Sequence, residues 1–151
     1  MRITMTLLGI MTMLPLPLLF ASDPGRVRQS ALAGRWYPAD KEQLTKEIDG
    51  YLVSAKKVEL NGKVVGLICP HAGYMYSGGA AAAGYSLIKG KPIKRVIILA
   101  PSHYAAFHGA SILDVDFFRT PLGDVPLDKE AVNKLRKNDI FGDYPNAQTE
   151  E

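Results

Sequence analysis

Val64-Val65-Gly66-Leu67-Ile68-Cys69-Pro70-His71 is a short apolar run closed by a proline and a histidine, and Arg95-Val96-Ile97-Ile98-Leu99-Ala100-Pro101-Ser102-His103 repeats the arrangement further on. Runs rich in Val and Ile and bounded by Pro and Gly read as buried strands of a parallel sheet. Such a sheet gathers its ligands in the crevice beyond the carboxyl ends of its strands. Both histidines stand at those ends.

Helices are expected between and around the two runs. Asp40 is of the N-cap type, Gln43 follows three residues on as in a capping box, and Leu44, Ile48, Tyr51 and Leu52 recur at helical spacing up to Lys56 and Lys57. Asn61-Gly62 marks a turn into the first run. After His71, the stretch Ala72-Gly73-Tyr74-Met75-Tyr76-Ser77-Gly78-Gly79 reads as a glycine-rich loop, and a small-residue helix over 80–88 leads to the second run, expected as a strand over 96–99. Strand, loop, helix and strand in that order make a right-handed βαβ unit. A third strand is expected over 110–115, then a turn at Thr120-Pro121-Leu122-Gly123-Asp124, then a helix capped by Asp128 and running to about Lys137. The fold class is therefore α/β, a parallel-type sheet with flanking helices. Two or three strands do not cover both faces of a parallel sheet, so the sheet is expected to be incomplete and residues 22–151 to be the amino-terminal part of a truncated domain.

The first residues differ from the rest. Arg2 is followed by an uncharged stretch to Phe20 and then by Ala21-Ser22-Asp23-Pro24, the layout of a secretory signal peptide over 1–21. Pro15 and Pro17 oppose a stable membrane-spanning helix, because each removes a backbone donor and crowds the preceding turn. An uncleaved anchor, or a start at Met11 or Met13, is the alternative. Export places the protein in the periplasm or outside the cell, and a later start leaves it in the cytoplasm. The single Cys69 has no partner for an internal disulfide and reads as a small core hydrophobe rather than a nucleophile.

The charge pattern excludes some functions. A net charge of +3, carried by lysines scattered along the chain, gives no basic stripe and no reason to expect a nucleic-acid partner. Gly73 to Gly79 lacks the Walker lysine and the GxGxxG spacing of a nucleotide cradle. Either histidine alone would read as a structural imidazole bonded to a nearby carbonyl. The pair, each behind a proline at the end of what should be adjacent strands, points to convergence on a metal, since imidazole suits zinc, copper and iron. A third ligand is needed, and His108, Asp114, Asp116 and Asp124 are the local candidates, none of them well placed. A carboxylate in that position suits non-haem iron, whereas a cysteine favours zinc or copper.

Four segments, Ala33-Gly34-Arg35-Trp36-Tyr37-Pro38, Pro70-His71-Ala72-Gly73-Tyr74-Met75-Tyr76-Ser77-Gly78, Ala100-Pro101-Ser102-His103 and Arg119-Thr120-Pro121-Leu122-Gly123-Asp124, together resemble the Memo family, called AmmeMemoRadiSam system protein B in prokaryotes. The resemblance runs from about Arg28 to the end of the chain. It implies a fold similar to class III extradiol dioxygenases, non-haem iron enzymes that open catechol rings. It also implies that His71 and His103 are two of three metal ligands, and that the third is a cysteine or acidic residue in a carboxyl-terminal half beyond Glu150-Glu151. Cys69 does not match the family's ligand cysteine. Trp36 and Tyr76 match positions lining the same cleft, where an aromatic wall would flank a ring or a peptide, although ordinary packing explains Trp36 equally well.

Three functions follow from that resemblance. One is a metal-dependent oxidoreductase of dioxygenase type holding iron, or else copper or zinc, with a small-molecule substrate. Another is a metal- or peptide-binding module, as in the animal members, which are cytosolic signalling adaptors whose cleft is associated with phosphotyrosine peptides. The third is an inactive fragment, because the acid/base group and third ligand would lie in the missing half. Substrate and oligomeric state are not legible in the sequence.

Overall fold

Asp40 accepts a hydrogen bond from the Gln43 backbone amide at 2.9 Å and so starts the helix α1 (Lys41–Ser54) where its side chain satisfies a donor that the helix cannot. In this computed structural model residues 25–142 and Tyr144 are described, and the leader expected over 1–21 lies outside them. The remaining elements are β1 (Val27–Arg28), α2 (Tyr74–Ser86), β2 (Ala110–Ser111), β3 (Phe117–Thr120), β4 (Gly123–Pro126), α3 (Lys129–Leu135) and β5 (Phe141–Gly142). The protein is mixed α/β, with small sheets and three helices among the described residues.

One sheet has the order β1-β3-β4. In it β1 runs parallel to β3, and β3 and β4 form an antiparallel hairpin in which Thr120 faces Gly123. The segment expected as a bare turn is thus the hairpin itself. Arg119 and Asp124 are directly opposed and joined by two hydrogen bonds of 2.8 Å, and the Thr120 hydroxyl donates to the Gly123 carbonyl at 2.8 Å. A forked guanidinium–carboxylate pair across the strands fixes the register. The other sheet pairs β2 with β5 in parallel, so the third expected strand is shorter than 110–115.

The two opening runs do not become strands. Residues 64–70 and 91–100 lie outside every sheet among the described residues, so the expected βαβ unit is not formed. Apolar, β-branched composition supplies propensity, but a strand exists only beside a partner backbone. Val65 is 95% exposed and Leu99 is 88% exposed. Their apolar character is unspent in this structure.

The glycine-rich stretch is also not a loop. Helix α2 begins at Tyr74 and ends at Ser86, absorbing Gly78 and Gly79, whereas the expected helix was 80–88. Gly73 serves as its N-cap, and its carbonyl accepts from the amides of Tyr76 and Ser77 at 2.9 and 3.1 Å. Small residues let α2 approach α1 closely: a Cβ on Gly78 would stand 2.5 Å from the Tyr51 ring. The buried apolar core among the described residues is thin, Leu44 on α1 and Ala82 on α2, and it lies where these helices meet. Leu67 and Cys69 pack onto α2 at Gly84. Cys69 therefore sits as a partly buried filler, consistent with its reading as a hydrophobe.

An ionic cluster holds α3 to β1 and to the approach to β3. Asp114 pairs with Arg26 at 2.7 Å and with Lys129 at 3.5 Å, and Asp116 pairs with Lys129 at 2.7 Å. Asp116 also accepts from the Arg26 amide at 2.6 Å. Helix α3 is capped by Asp128, which accepts from the Ala131 amide at 2.9 Å and pairs with Arg95. The expected cap holds, and the helix stops at Leu135 rather than Lys137.

Candidate functional site

His71 and His103 meet. Their Nε2 atoms are 3.2 Å apart and their rings are tilted by 32° with centroids 5.3 Å apart. Both side chains are exposed. The separation admits two chemistries. One protonated Nε2 donating to the other, unprotonated one accounts for it as a hydrogen bond. It also fits a shared ion, because two nitrogens each about 2.05 Å from one metal stand about 3.2–3.4 Å apart at angles of about 100–110°, close to tetrahedral.

The local structure that delivers each imidazole is specific. Ser77, buried on the first turns of α2, donates its hydroxyl to the Ala72 carbonyl at 2.7 Å and so holds the turn after His71 against the helix. On the other side, the Ser102 hydroxyl accepts from the Ala105 amide at 3.0 Å, closing the turn that carries His103. Sequence reasoning did not single out Ser77. Its signal is a small polar residue one turn inside a helix, placed to reach back to the preceding loop.

Trp36 and Tyr76 line one open groove of about 680 Å³ whose wall includes Ala72 and Gly73, the two residues after His71. Trp36 is 42% exposed and Tyr76 is 81% exposed, so neither is spent in core packing. Trp36 is set by a tight turn in which Gly34, at φ +80°, donates its amide to the Tyr37 carbonyl at 2.7 Å. The Trp36 carbonyl then accepts from the Tyr74 amide at 2.9 Å, and Tyr37 packs its ring on Tyr74 at 5.3 Å. Gly73 permits this approach, since a Cβ there would come within 3.4 Å of the Trp36 carbonyl oxygen. Arg35 and Glu47 add one positive and one negative side chain to the groove. Arg35 is a groove residue that sequence reasoning passed over, although it lies inside the first quoted segment.

Of the local candidates for a third ligand, the three aspartates are engaged elsewhere. Asp114 and Asp116 belong to the ionic cluster, where hydrogen bonds from Arg26 and Lys129 respectively hold their carboxyls below the usual carboxylate range. Asp124 is likewise held low by Arg119. His108 contributes its carbonyl to the Tyr144 hydroxyl at 3.0 Å. Among the described residues no group of three or more His, Cys, Asp or Glu side chains is placed to hold an ion.

Fold and site together define a mixed α/β protein in which two histidines, each behind a proline, converge beside an aromatic groove. The profile of the Memo family, described as Memo-like protein, matches residues 28–151, and the chain belongs to that family. It is 36% identical over 120 residues to Protein MEMO1 of Xenopus tropicalis, an overlap covering 80% of this chain and 40% of that relative. Human Protein MEMO1 is 33% identical over 114 residues, which are 76% of this chain and 38% of the relative. The Protein memo-1 homolog of Caenorhabditis elegans is 36% identical over 76% of this chain and 32% of its own length. The chain thus spans two-fifths or less of the length of these relatives.

Proposed function

We propose that His71 and His103 are metal ligands of a Memo protein whose whole chain is a metal-dependent oxidoreductase with a fold similar to the extradiol dioxygenases. The observation that carries this reading is the 3.2 Å approach of the two Nε2 atoms. Iron is the foremost candidate, with copper or zinc as alternatives, because imidazole suits all three. When bound, such an ion supplies Lewis acidity and, for iron or copper, redox chemistry. The protein's part is to hold two imidazoles at fixed separation, through the turns at Ser77 and Ser102, and to present Trp36 and Tyr76 as a wall for an aromatic small molecule or a peptide side chain. The leader-like residues 1–21 support export of this member rather than a cytosolic role.

A second reading, a metal- or peptide-binding module without turnover, is favoured by the open groove lined by Trp36 and Tyr76. The two readings part in one set of measurements. Equilibrium dialysis with Fe(II), Cu(II) or Zn(II) should give one ion per chain, with affinity falling at least about tenfold in His71→Ala and in His103→Ala, the scale on which altering a metal site acts. Binding indifferent to both substitutions refutes the metal reading. Metal-dependent oxygen uptake with a catechol would separate enzyme from module.

A further inference from the structure

The loop that leaves His103 is held from its far end. Upstream, residues 91–102 belong to no strand or helix among the described residues, although Arg95 is tied to Asp128. Downstream the chain enters β2, where the Ala110 amide donates to the Ile140 carbonyl at 2.8 Å and the Ile112 amide to the Gly142 carbonyl at 3.1 Å. The regular structure nearest to His103 along the chain is therefore the β2–β5 pair.

Tyr144, just past β5, grips the same stretch with three different groups. Its ring stacks on Phe107 with centroids 4.5 Å apart and planes 18° apart, its hydroxyl donates to the His108 carbonyl at 3.0 Å, and its amide donates to the Ser111 hydroxyl at 3.3 Å. An offset stack and a hydrogen bond on one side chain fix both the position and the orientation of what they hold. Two glycines make the grip possible. Gly109, at φ +88°, lets the backbone press against the Ile140 carbonyl, and Gly142 leaves room for the Tyr144 ring, which a Cβ there would approach to 2.8 Å. Phe107 lies four residues after His103, and the Ser102 hydroxyl, accepting from the Ala105 amide at 3.0 Å, closes the turn between them. Whatever fixes Phe107 thus limits where the imidazole can go.

We propose that Tyr144 is a positioning residue for His103, clasping residues 107–108 and, through the turn at Ser102, setting the His103 ring against His71. The proposal rests on the approach of the two imidazoles, and only its zinc measurement rests on the metal reading. The test is proton NMR of the full chain without metal, reading the cross-relaxation between the ring protons of His71 and His103, whose Nε2 atoms are 3.2 Å apart, followed by equilibrium dialysis with Zn(II). In Tyr144→Ala the cross-peak should fall and zinc affinity should drop at least about fivefold, the scale of one lost hydrogen bond. Tyr144→Phe keeps the stack and should fall between parent and alanine. Gly142→Ala, which leaves Tyr144 in place but displaces its ring, should reproduce Tyr144→Ala. The contact between the Tyr37 and Tyr74 rings, 5.3 Å apart, should persist throughout. An undiminished His71–His103 cross-peak in Tyr144→Ala overturns the proposal, and so does one that falls only together with the Tyr37–Tyr74 contact, which would show a general role in folding. Absence of the cross-peak in the parent overturns the convergence and the proposal with it. A cross-peak that responds as expected in a chain that binds no zinc upholds the clasp and refutes the metal reading alone.

Discussion

Gly78 and Gly79 are adjacent in the same helix, yet their replacement by alanine should change stability in opposite directions. Both lie inside α2, so each gains about 0.8–1.0 kcal/mol of helix propensity on becoming alanine. They differ in what a methyl group meets. At Gly79 there is nothing within 4 Å, whereas at Gly78 the new Cβ would stand 2.5, 2.8 and 2.9 Å from three carbons of the Tyr51 ring. The ring must retreat by about 1 Å to restore ordinary contact, the kind of forced shift that costs about 1–3 kcal/mol. Moving it also disturbs the hydrogen bond from the Tyr51 hydroxyl to Glu47, 3.2 Å. Gly79→Ala is therefore expected to stabilise by about 1 kcal/mol and Gly78→Ala to destabilise by up to about 2 kcal/mol, the propensity gain cancelling in the difference. Urea unfolding followed by circular dichroism reads this as midpoints shifted in opposite directions at constant slope. In a Tyr51→Ala background the two alanines should become equivalent, because the obstacle is gone. Equal effects in the native background, or a difference surviving removal of the ring, would refute the close approach of α1 and α2. The outcome bears on the site, since Glu47 on α1 and Tyr76 on α2 line the same groove.

Acid should unfold the protein through a known set of carboxylates. Asp114, Asp116, Asp124 and Asp128 all have folded pKa values lowered, by Arg26, by Lys129, by Arg119 and by the Ala131 amide respectively as the foremost causes. A lowered folded value means their contribution is complete above the unfolded value of about 4 and is lost as pH falls through the folded values. Thermal stability should thus hold down to about pH 4 and drop below it, with a shallower acid limb in Asp114→Asn; an unchanged limb counts against the cluster. Gly109→Ala should cost at least about 2 kcal/mol, because the residue sits at φ +88° and its Cβ would collide with the Ile140 carbonyl oxygen, disrupting β2 against β5. A midpoint within error of the parent would show that this turn is not closed in solution.

Legibility in the sequence divided along a physical line. Caps were readable because they act locally: Asp40 and Asp128 satisfy amides three residues away whatever the rest of the chain does. The hairpin at 117–126 was half readable, since Pro121-Leu122-Gly123 names the turn while the strands declare themselves only through the Arg119–Asp124 pairing across it. Helix α2 was misjudged at its start because glycine disfavours a helix on its own account, and here close packing against Tyr51 tolerates Gly78. The runs at 64–68 and 96–99 show the limit most clearly. Their composition is that of strands, but strand formation is a property of two backbones, and none pairs with them among the described residues.

The two histidines nevertheless converge without the sheet that was expected to deliver them. Their approach follows from short-range devices, the Ser77 hydroxyl on the Ala72 carbonyl and the Ser102 hydroxyl under the Ala105 amide, together with the Arg95–Asp128 pair that anchors the far end of the second run. Local hydrogen bonds of this kind contribute about 1 kcal/mol each, enough to bias a turn but little to resist displacement. The turns are therefore expected to set the site: Ser77→Ala removes the bond to the Ala72 carbonyl and should weaken metal binding in dialysis about fivefold, the scale of about 1 kcal/mol. An affinity equal to the parent's would show that this hydroxyl does not position His71.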